Sequence, residues 1–234
     1  MTGDLWMTAP GDSAYRAARK RVEALVRSLS ADQLATRVPA CPDWTVKDVV
    51  SHLVGNTSDL LTGNLAEAGS DAWTAAQVAS RRASTLEDVL GEWEANAAHF
   101  ERLLEEFPPD RRARLLGDIA SHEADLRAAL GLSPGGGGEA ARLGFERYLS
   151  TLADRIDQIG LPALRLLLDG ETERVAGSAM PPAATVSADT HTLLRVLTGR
   201  RSPGRIRALH WEGDPEPYVS VLPNYPGTQS DLVD

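Results

Sequence analysis

The sequence predicts a mainly α protein: a helical bundle over residues 1–158 followed by a small α/β domain over 159–234. Three observations carry that expectation. Apolar residues recur at helical spacing in successive segments up to about residue 158. A run of Gly, SPGGGGE, interrupts them at 133–139. Beyond Gly160 the texture changes to short apolar runs separated by turn residues.

The elements follow in order. Residues 13–29 place Tyr15, Ala18, Val22, Leu25 and Val26 on one side of an amphipathic helix. A turn from Ala31 to Pro42 leads to a second helix at about 44–64, with Asp43 as its N-cap and Val46, Val49, Val50 and Leu53 as its apolar stripe. A short helix at 72–83 and a long one at 85–107 come next. The long one opens on Thr85, whose hydroxyl caps it with Asp88 in a capping-box position, and stops at Pro108 and Pro109. The helix at 111–130 ends at Gly131, a residue suited to the left-handed C-terminal position, with Pro134 beyond. The glycine run reads as a connection and not as a phosphate loop, because no Gly-Lys-Ser/Thr follows it and no strand precedes it. Residues 139–158 are helical again. LPALRLLLDG and ETERVAG then form two strands around an Asp-Gly turn, ADTHTLLRVLTGRR forms a helix, and RIRALHWEG with PYVSVL closes the chain with mixed or strand character.

Composition narrows the function. Of 234 residues, 42% are hydrophobic, enough to bury a core. A net charge of −9 and a pI near 5.1 repel a phosphate backbone, so nucleic acid is not an expected partner. No apolar run approaches the roughly 20 residues that span a bilayer, and the N-terminal MTGDLWMTAPG lacks a basic region leading into an apolar one. A cytoplasmic protein without a membrane partner is therefore expected. The single cysteine, Cys41, cannot form an internal disulfide, which suits a reducing compartment. It precedes a proline at the entry to the second helix and reads as a packing residue.

Two helices carry the chemistry. His52 lies at the edge of its helix's apolar stripe, roughly 60° from Val49 and 40° from Asn56 at about 100° per residue. His122 occupies the middle of the stripe Leu115, Ile119, His122, Leu126, Ala129, with Asp118 four residues before it and Asp125 three after. A carboxylate and an imidazole buried one turn apart require compensation. In one arrangement Asp118 accepts a hydrogen bond from His122, while Asp125 pairs with an arginine such as Arg127 or Arg82. In the other, Asp118 and His122 join His52 of the facing helix in a two-histidine, one-carboxylate ligand set that leaves positions open for water or substrate. Spacing alone leaves the two nearly balanced. His99 reads as a surface residue, His191 and His210 lie outside the bundle, and Trp44, Trp73, Trp93 and Trp211 read as core or interface.

At these residues the chain resembles a known family. VPACPDWTVKDVVSHLVGN and GDIASHEADLRAALG look like the mycothiol-dependent maleylpyruvate isomerase family of actinobacteria, within the DinB-like metal-binding four-helix-bundle superfamily. AWTAAQVASRR is also similar to the family. LLRVLTGRRSPGRIRALHWEGDP resembles the small sterol-carrier-like domain appended to many members, so the likeness extends over nearly the whole chain. The resemblance implies a divalent metal, usually zinc, held by the histidine of Trp-Thr-Val-x-Asp-x-x-x-His and by a Glu-x-x-x-His pair. These fall on His52, Asp118 and His122. Asp118 departs from the usual Glu and is shorter by one methylene. The family's essential C-terminal arginine falls on Arg200 of the TGR stretch, where a guanidinium can clamp a substrate carboxylate. The alternative for Arg200 and Arg201 is a pair of cations at a helix C-terminus.

Such a metal deprotonates a bound thiol at neutral pH. With Cys41 read as packing, the resemblance makes mycothiol the thiol cosubstrate of an S-transferase or isomerase acting on a small electrophile. Two other functions remain open on sequence: a metal-dependent hydrolase or biosynthetic accessory enzyme that uses no thiol, and a non-catalytic small-molecule-binding module. A monomer or a homodimer is expected.

Overall fold

The computed structural model describes residues 11–135, 137–225 and 232. The N-terminal decapeptide and Gly136 of the glycine run lie outside the described residues. The elements, in order, are α1 (Gly11–Arg27), α2 (Ala31–Leu34), β1 (Arg37–Val38), β2 (Cys41–Thr45), α3 (Val46–Thr62), α4 (Asp71–Ser80), α5 (Leu86–Glu106), α6 (Pro109–Ala129), α7 (Gly138–Ile159), β3 (Leu164–Leu168), β4 (Thr172–Ala176), β5 (Ala184–Ala188), α8 (Thr190–Leu197), α9 (Pro203–Arg207), β6 (His210–Glu212) and α10 (Glu216–Val219). They form two compact units that divide between Ala140 and Ala141.

The first unit is a four-helix bundle. Helix α1 packs on α5 and α6, and α3 packs on the same two, which closes a ring of four; α4 lies against α3. The interior is filled by Val22 and Val26 of α1, Val49, Val50 and Leu53 of α3, Leu90, Trp93 and Phe100 of α5, and Leu116, Ile119 and Leu126 of α6, all buried. Fully burying a side chain of this size stabilises the fold by roughly 1.5–3 kcal/mol. Among the described residues, the charges buried in this interior are paired. Arg19 meets Glu23 and Glu101, and Arg21 holds Glu123 through Nε and Nη2 at 2.8 and 2.7 Å, which ties α1 to the middle of α6.

The start of α3 differs from the sequence expectation. Asp43 does not cap the helix, because residues 41–45 are extended and pair with β1 (Arg37 with Thr45, Val38 with Cys41). The cap is Thr45, whose hydroxyl accepts the Asp48 amide while Asp48 returns a bond to the Thr45 amide. Thr85 and Asp88 form the same box at α5, as the sequence indicates. Pro108 and Pro109 do more than stop α5, since they occupy the N-cap and first position of α6, where a missing amide hydrogen costs nothing. The β1–β2 hairpin touches both α3 and α6, and so hangs over the seam between the helices that carry His52 and His122.

The second unit is a sheet of order β4-β3-β5-β6, with β3 parallel to β5 and the outer strands antiparallel. Leu164, Leu166 and Leu168 point inward from β3 onto Leu193, Leu194 and Leu197 of α8 and onto Phe145, Leu149, Leu152 and Ile156 of α7. Helix α7 therefore belongs with the sheet, and the expected boundary at 158/159 moves back to the start of α7. An amphipathic pattern specifies that a stripe is buried but not what covers it. The Asp-Gly turn is as read, with Asp169 and Gly170 both at positive φ (54° and 77°), the geometry that matches hairpin twist. PYVSVL is not a strand; its first residues form α10. Among the described residues no helix is long and apolar enough to cross a membrane.

Gly177, after β4, has φ +94°, and a Cβ there would sit 2.6 Å from Ile156 Cγ2 and 3.3 Å from Ala163 Cα. We expect Gly177→Ala to destabilise this unit by about 2–4 kcal/mol, from backbone strain plus overpacking. Chemical denaturation is the check, and a change below about 1 kcal/mol would contradict this account.

Candidate metal centre

Helices α3 and α6 bring together the three side chains singled out on spacing. The ligating atoms of His52, Asp118 and His122 lie within 4.8 Å of one another. Asp118 Oδ2 is 3.7 Å from His52 Nε2 and Asp118 Oδ1 is 3.6 Å from His122 Nε2. The rings meet edge to face with centroids 5.1 Å apart. Both histidines are buried, whereas the Asp118 side chain keeps 32% of its exposure, so the cluster is open on the aspartate's side.

The outer nitrogens of both rings are bonded. His52 Nδ1 is 2.8 Å from Gln77 Oε1, and His122 Nδ1 is 3.1 Å from Asp125 Oδ2. Because Asp125 is wholly buried and its carboxylate only accepts, His122 Nδ1 carries a hydrogen. Asp125, read in one arrangement as an arginine's partner, is thus bonded to the imidazole. Asn56, one turn after His52, donates its amide to Asp118 Oδ2 at 2.8 Å and holds the carboxylate between the rings. Burial alone would lower the basicity of His122. The bonds to Asp125 and Cys41 and the charge of Asp118 outweigh it and push its pKa up to about 10. The site favours positive charge at this point, whether a proton on the ring or a cation among the three ligand atoms.

The geometry fits a divalent ion. Metal–ligand bonds of about 2.0–2.2 Å at tetrahedral angles place donor atoms about 3.4 Å apart, close to the 3.6 and 3.7 Å at which the two Asp118 oxygens lie from the two rings. The shorter aspartate still comes within 3.7 Å of an imidazole nitrogen of each histidine. Each histidine has the outer partner that metal-ligating imidazoles ordinarily have.

Residues 15–131 match the family described as the mycothiol maleylpyruvate isomerase N-terminal domain. The chain belongs to this family. In fold it is similar to the crystal structure of the mycothiol-dependent maleylpyruvate isomerase, at 13% identity and a TM-score of 0.58, covering 81% of this chain and 88% of that one. A point mutant of that enzyme matches over the same shares at 12% identity and a TM-score of 0.56. Comparison with curated proteins finds no matching sequence. The family's matched segment contains α3, α6 and the whole cluster.

Several residues around the cluster escaped the sequence reading. Trp44 of β2 packs its ring 5.1 Å from that of His52 and 6.2 Å from that of His122. Cys41, read as packing, shares with His122 and Asp125 a second group of possible ligand atoms within 4.8 Å of one another. Both arrive on the β1–β2 hairpin, and the turn expected there gave no hint of it. Asn56 had a usable signal, since it lies four residues beyond His52 on the same helix face. Gln77 had none, because it arrives on α4.

Arg200 lies in the second unit. Gly199, with φ +76°, ends α8; its amide bonds Val196 O at 3.0 Å and the Arg200 amide bonds Arg195 O at 2.8 Å, a Schellman arrangement. The Arg200 guanidinium donates to Thr198 O at 2.6 Å and so neutralises the end of the helix. His99 is exposed, as expected.

Proposed function

We propose that this family member is a metal-dependent enzyme that uses mycothiol in an S-transfer or isomerisation on a small electrophile, in a cytoplasmic setting. The observation that carries the proposal is the convergence of two Nε2 atoms and one carboxylate, with ligand atoms within 4.8 Å of one another. A cation such as zinc held there supplies Lewis acidity, which makes a thiol a thiolate at neutral pH.

The chain's own residues prepare that chemistry. With Nδ1 of each bonded outward, His52 and His122 turn Nε2 toward Asp118, and a cation there would take the place of the proton that His122 readily holds. Asp118 contributes negative charge and is oriented by Asn56. Trp44 covers the rings on one side and limits the water that reaches them. The open side at Asp118 is where thiol and electrophile approach. Arg200 is the proposed anchor for a substrate carboxylate, a role that rests on the family resemblance.

Metal content and thiol dependence test the proposal together. Purified protein should carry about one zinc per chain by mass spectrometry. Mycothiol and maleylpyruvate, or another electrophile from a panel, should be turned over only while the metal is bound, with activity lost on chelation and restored by added zinc. Undiminished turnover after chelation would overturn the metal's role, and turnover without any thiol would overturn mycothiol's.

A further inference from the structure

Gly55 sits in the middle of α3, where glycine costs about 1 kcal/mol relative to alanine. Its backbone is not left-handed, so the helix itself gains nothing from it. The reason lies on α4. A Cβ at position 55 would fall 2.5 Å from Gln77 Cβ, 2.6 Å from Cγ and 3.0 Å from Cδ. The glycine is a recess in which the buried Gln77 side chain lies against α3, with its amide group between His52, one turn before, and Asp59, one turn after.

The hydrogen bonds give this placement a direction. Gln77 Nε2 donates to Asp59 Oδ2 at 2.7 Å, and Asp59 Oδ1 accepts from Asn64 Nδ2 at 2.8 Å. A carboxylate only accepts, so the amide must turn its nitrogen to Asp59 and its oxygen to His52. That oxygen, 2.8 Å from Nδ1, requires the hydrogen to be on Nδ1. The lone pair of the neutral ring is therefore on Nε2, the atom that faces Asp118. Without Asp59 the amide would have no reason to choose this orientation, and without the recess it would not reach.

We propose that Asp59, Gln77 and the Gly55 recess form a positioning relay that selects the His52 tautomer and thereby sets the affinity of the metal centre. The inference rests on the metal reading of His52, Asp118 and His122, and adds three positioning residues to it. None of the three is among the candidate ligands.

Zinc affinity measured by competition with a chromophoric chelator tests the relay, with thermal unfolding alongside to follow the fold. Removal of an outer partner of a ligating histidine typically weakens binding 10–100-fold, and this is the loss expected for Gln77→Leu. Gly55→Ala should weaken zinc binding similarly although alanine favours the helix, because the Gln77 side chain is displaced. Gln77→Glu alone places two carboxylates side by side and should also bind poorly. The double variant Asp59→Asn/Gln77→Glu exchanges donor and acceptor, still offers His52 Nδ1 an acceptor, and should recover affinity to within about threefold of the parent. A merely structural role predicts no such rescue. Nitrogen NMR of metal-free protein should show the neutral His52 ring protonated on Nδ1, and this preference should be lost in Gln77→Leu.

Unchanged zinc affinity in Gln77→Leu, or a double variant no better than Gln77→Glu, would overturn the relay. If the parent protein binds no zinc, the metal reading fails, and the NMR measurement alone decides the relay: an Nε2–H ring would refute it.

Discussion

Asp118→Asn is expected to weaken zinc binding by on the order of 10²–10³-fold and to remove metal-dependent turnover. A protein zinc site contributes roughly 10–16 kcal/mol, so each of about four ligands is worth some 2.5–4 kcal/mol. The substitution keeps the side chain's volume and an oxygen that Asn56 can still address, but it removes the charge that sits 3.6 and 3.7 Å from the two imidazole nitrogens. Asp118→Glu should behave differently. It restores the family's usual residue, and the partly exposed side chain has room for a further methylene, so zinc should be retained within about tenfold. Stoichiometric metal analysis and a competition titration on the purified variants provide the comparison. Full zinc affinity in Asp118→Asn would show that the carboxylate is not a ligand.

The second large effect concerns the bundle. Trp93 is fully buried, and its Nε1 donates to the Tyr15 hydroxyl at 3.1 Å, which in turn pairs with Thr57 Oγ1 at 3.0 Å. Tyr15 also packs against Phe100 with ring centroids 4.8 Å apart. Burial pushes the Tyr15 hydroxyl's pKa up to about 12 despite these bonds, so it remains neutral and acts as a structural connector. Trp93→Ala empties the largest fully buried side chain's volume and removes the donor, at a cost of about 3–5 kcal/mol. A Tm lowered by on the order of 10 °C should follow. Trp93→Phe keeps much of the apolar volume, loses the donor, and should cost about half as much. If calorimetry shows less than about 1 kcal/mol for Trp93→Ala, the bundle does not depend on this contact network.

Much of the site is legible before folding because helical geometry links spacing to direction. Asp118 and His122 are four residues apart, so they share a face in any helix, and the stripe around them states that this face is covered. His52 is less determined, since its place at the stripe's edge is compatible with solvent as well as interior. Spacing offered its joining to the other two as one of two nearly balanced arrangements, and the family resemblance favoured it. Asp125 illustrates the limit. Its three-residue offset from His122 is visible, but the bond of its carboxylate to the imidazole's Nδ1 depends on rotamers and burial.

Capping shows the same division. Asp43 and Thr45 are both competent N-caps, and Thr45 with Asp48 makes a full capping box. The decision rests on β1, which keeps residues 41–45 extended until Thr45. Helix α7 is a larger case. Its stripe of Phe145, Leu149, Leu152 and Ile156 would suit a bundle equally well, and only the sheet's inward leucines explain where it packs.

What the sequence determined by itself is therefore local and periodic: the longer helices, the Asp-Gly hairpin, the box at Thr85, and the shared face of Asp118 and His122. These follow from residue-by-residue backbone preferences and from the 3.6-residue repeat, neither of which needs a distant partner. The tertiary structure alone decided which faces meet: His52 opposite Asp118, Trp44 and Cys41 carried onto the rings by a hairpin, Gln77 laid over Gly55, and α7 placed on the sheet. Each of these depends on atoms far apart in the chain filling one another's space and completing one another's hydrogen bonds, information that a linear pattern of polar and apolar residues does not contain.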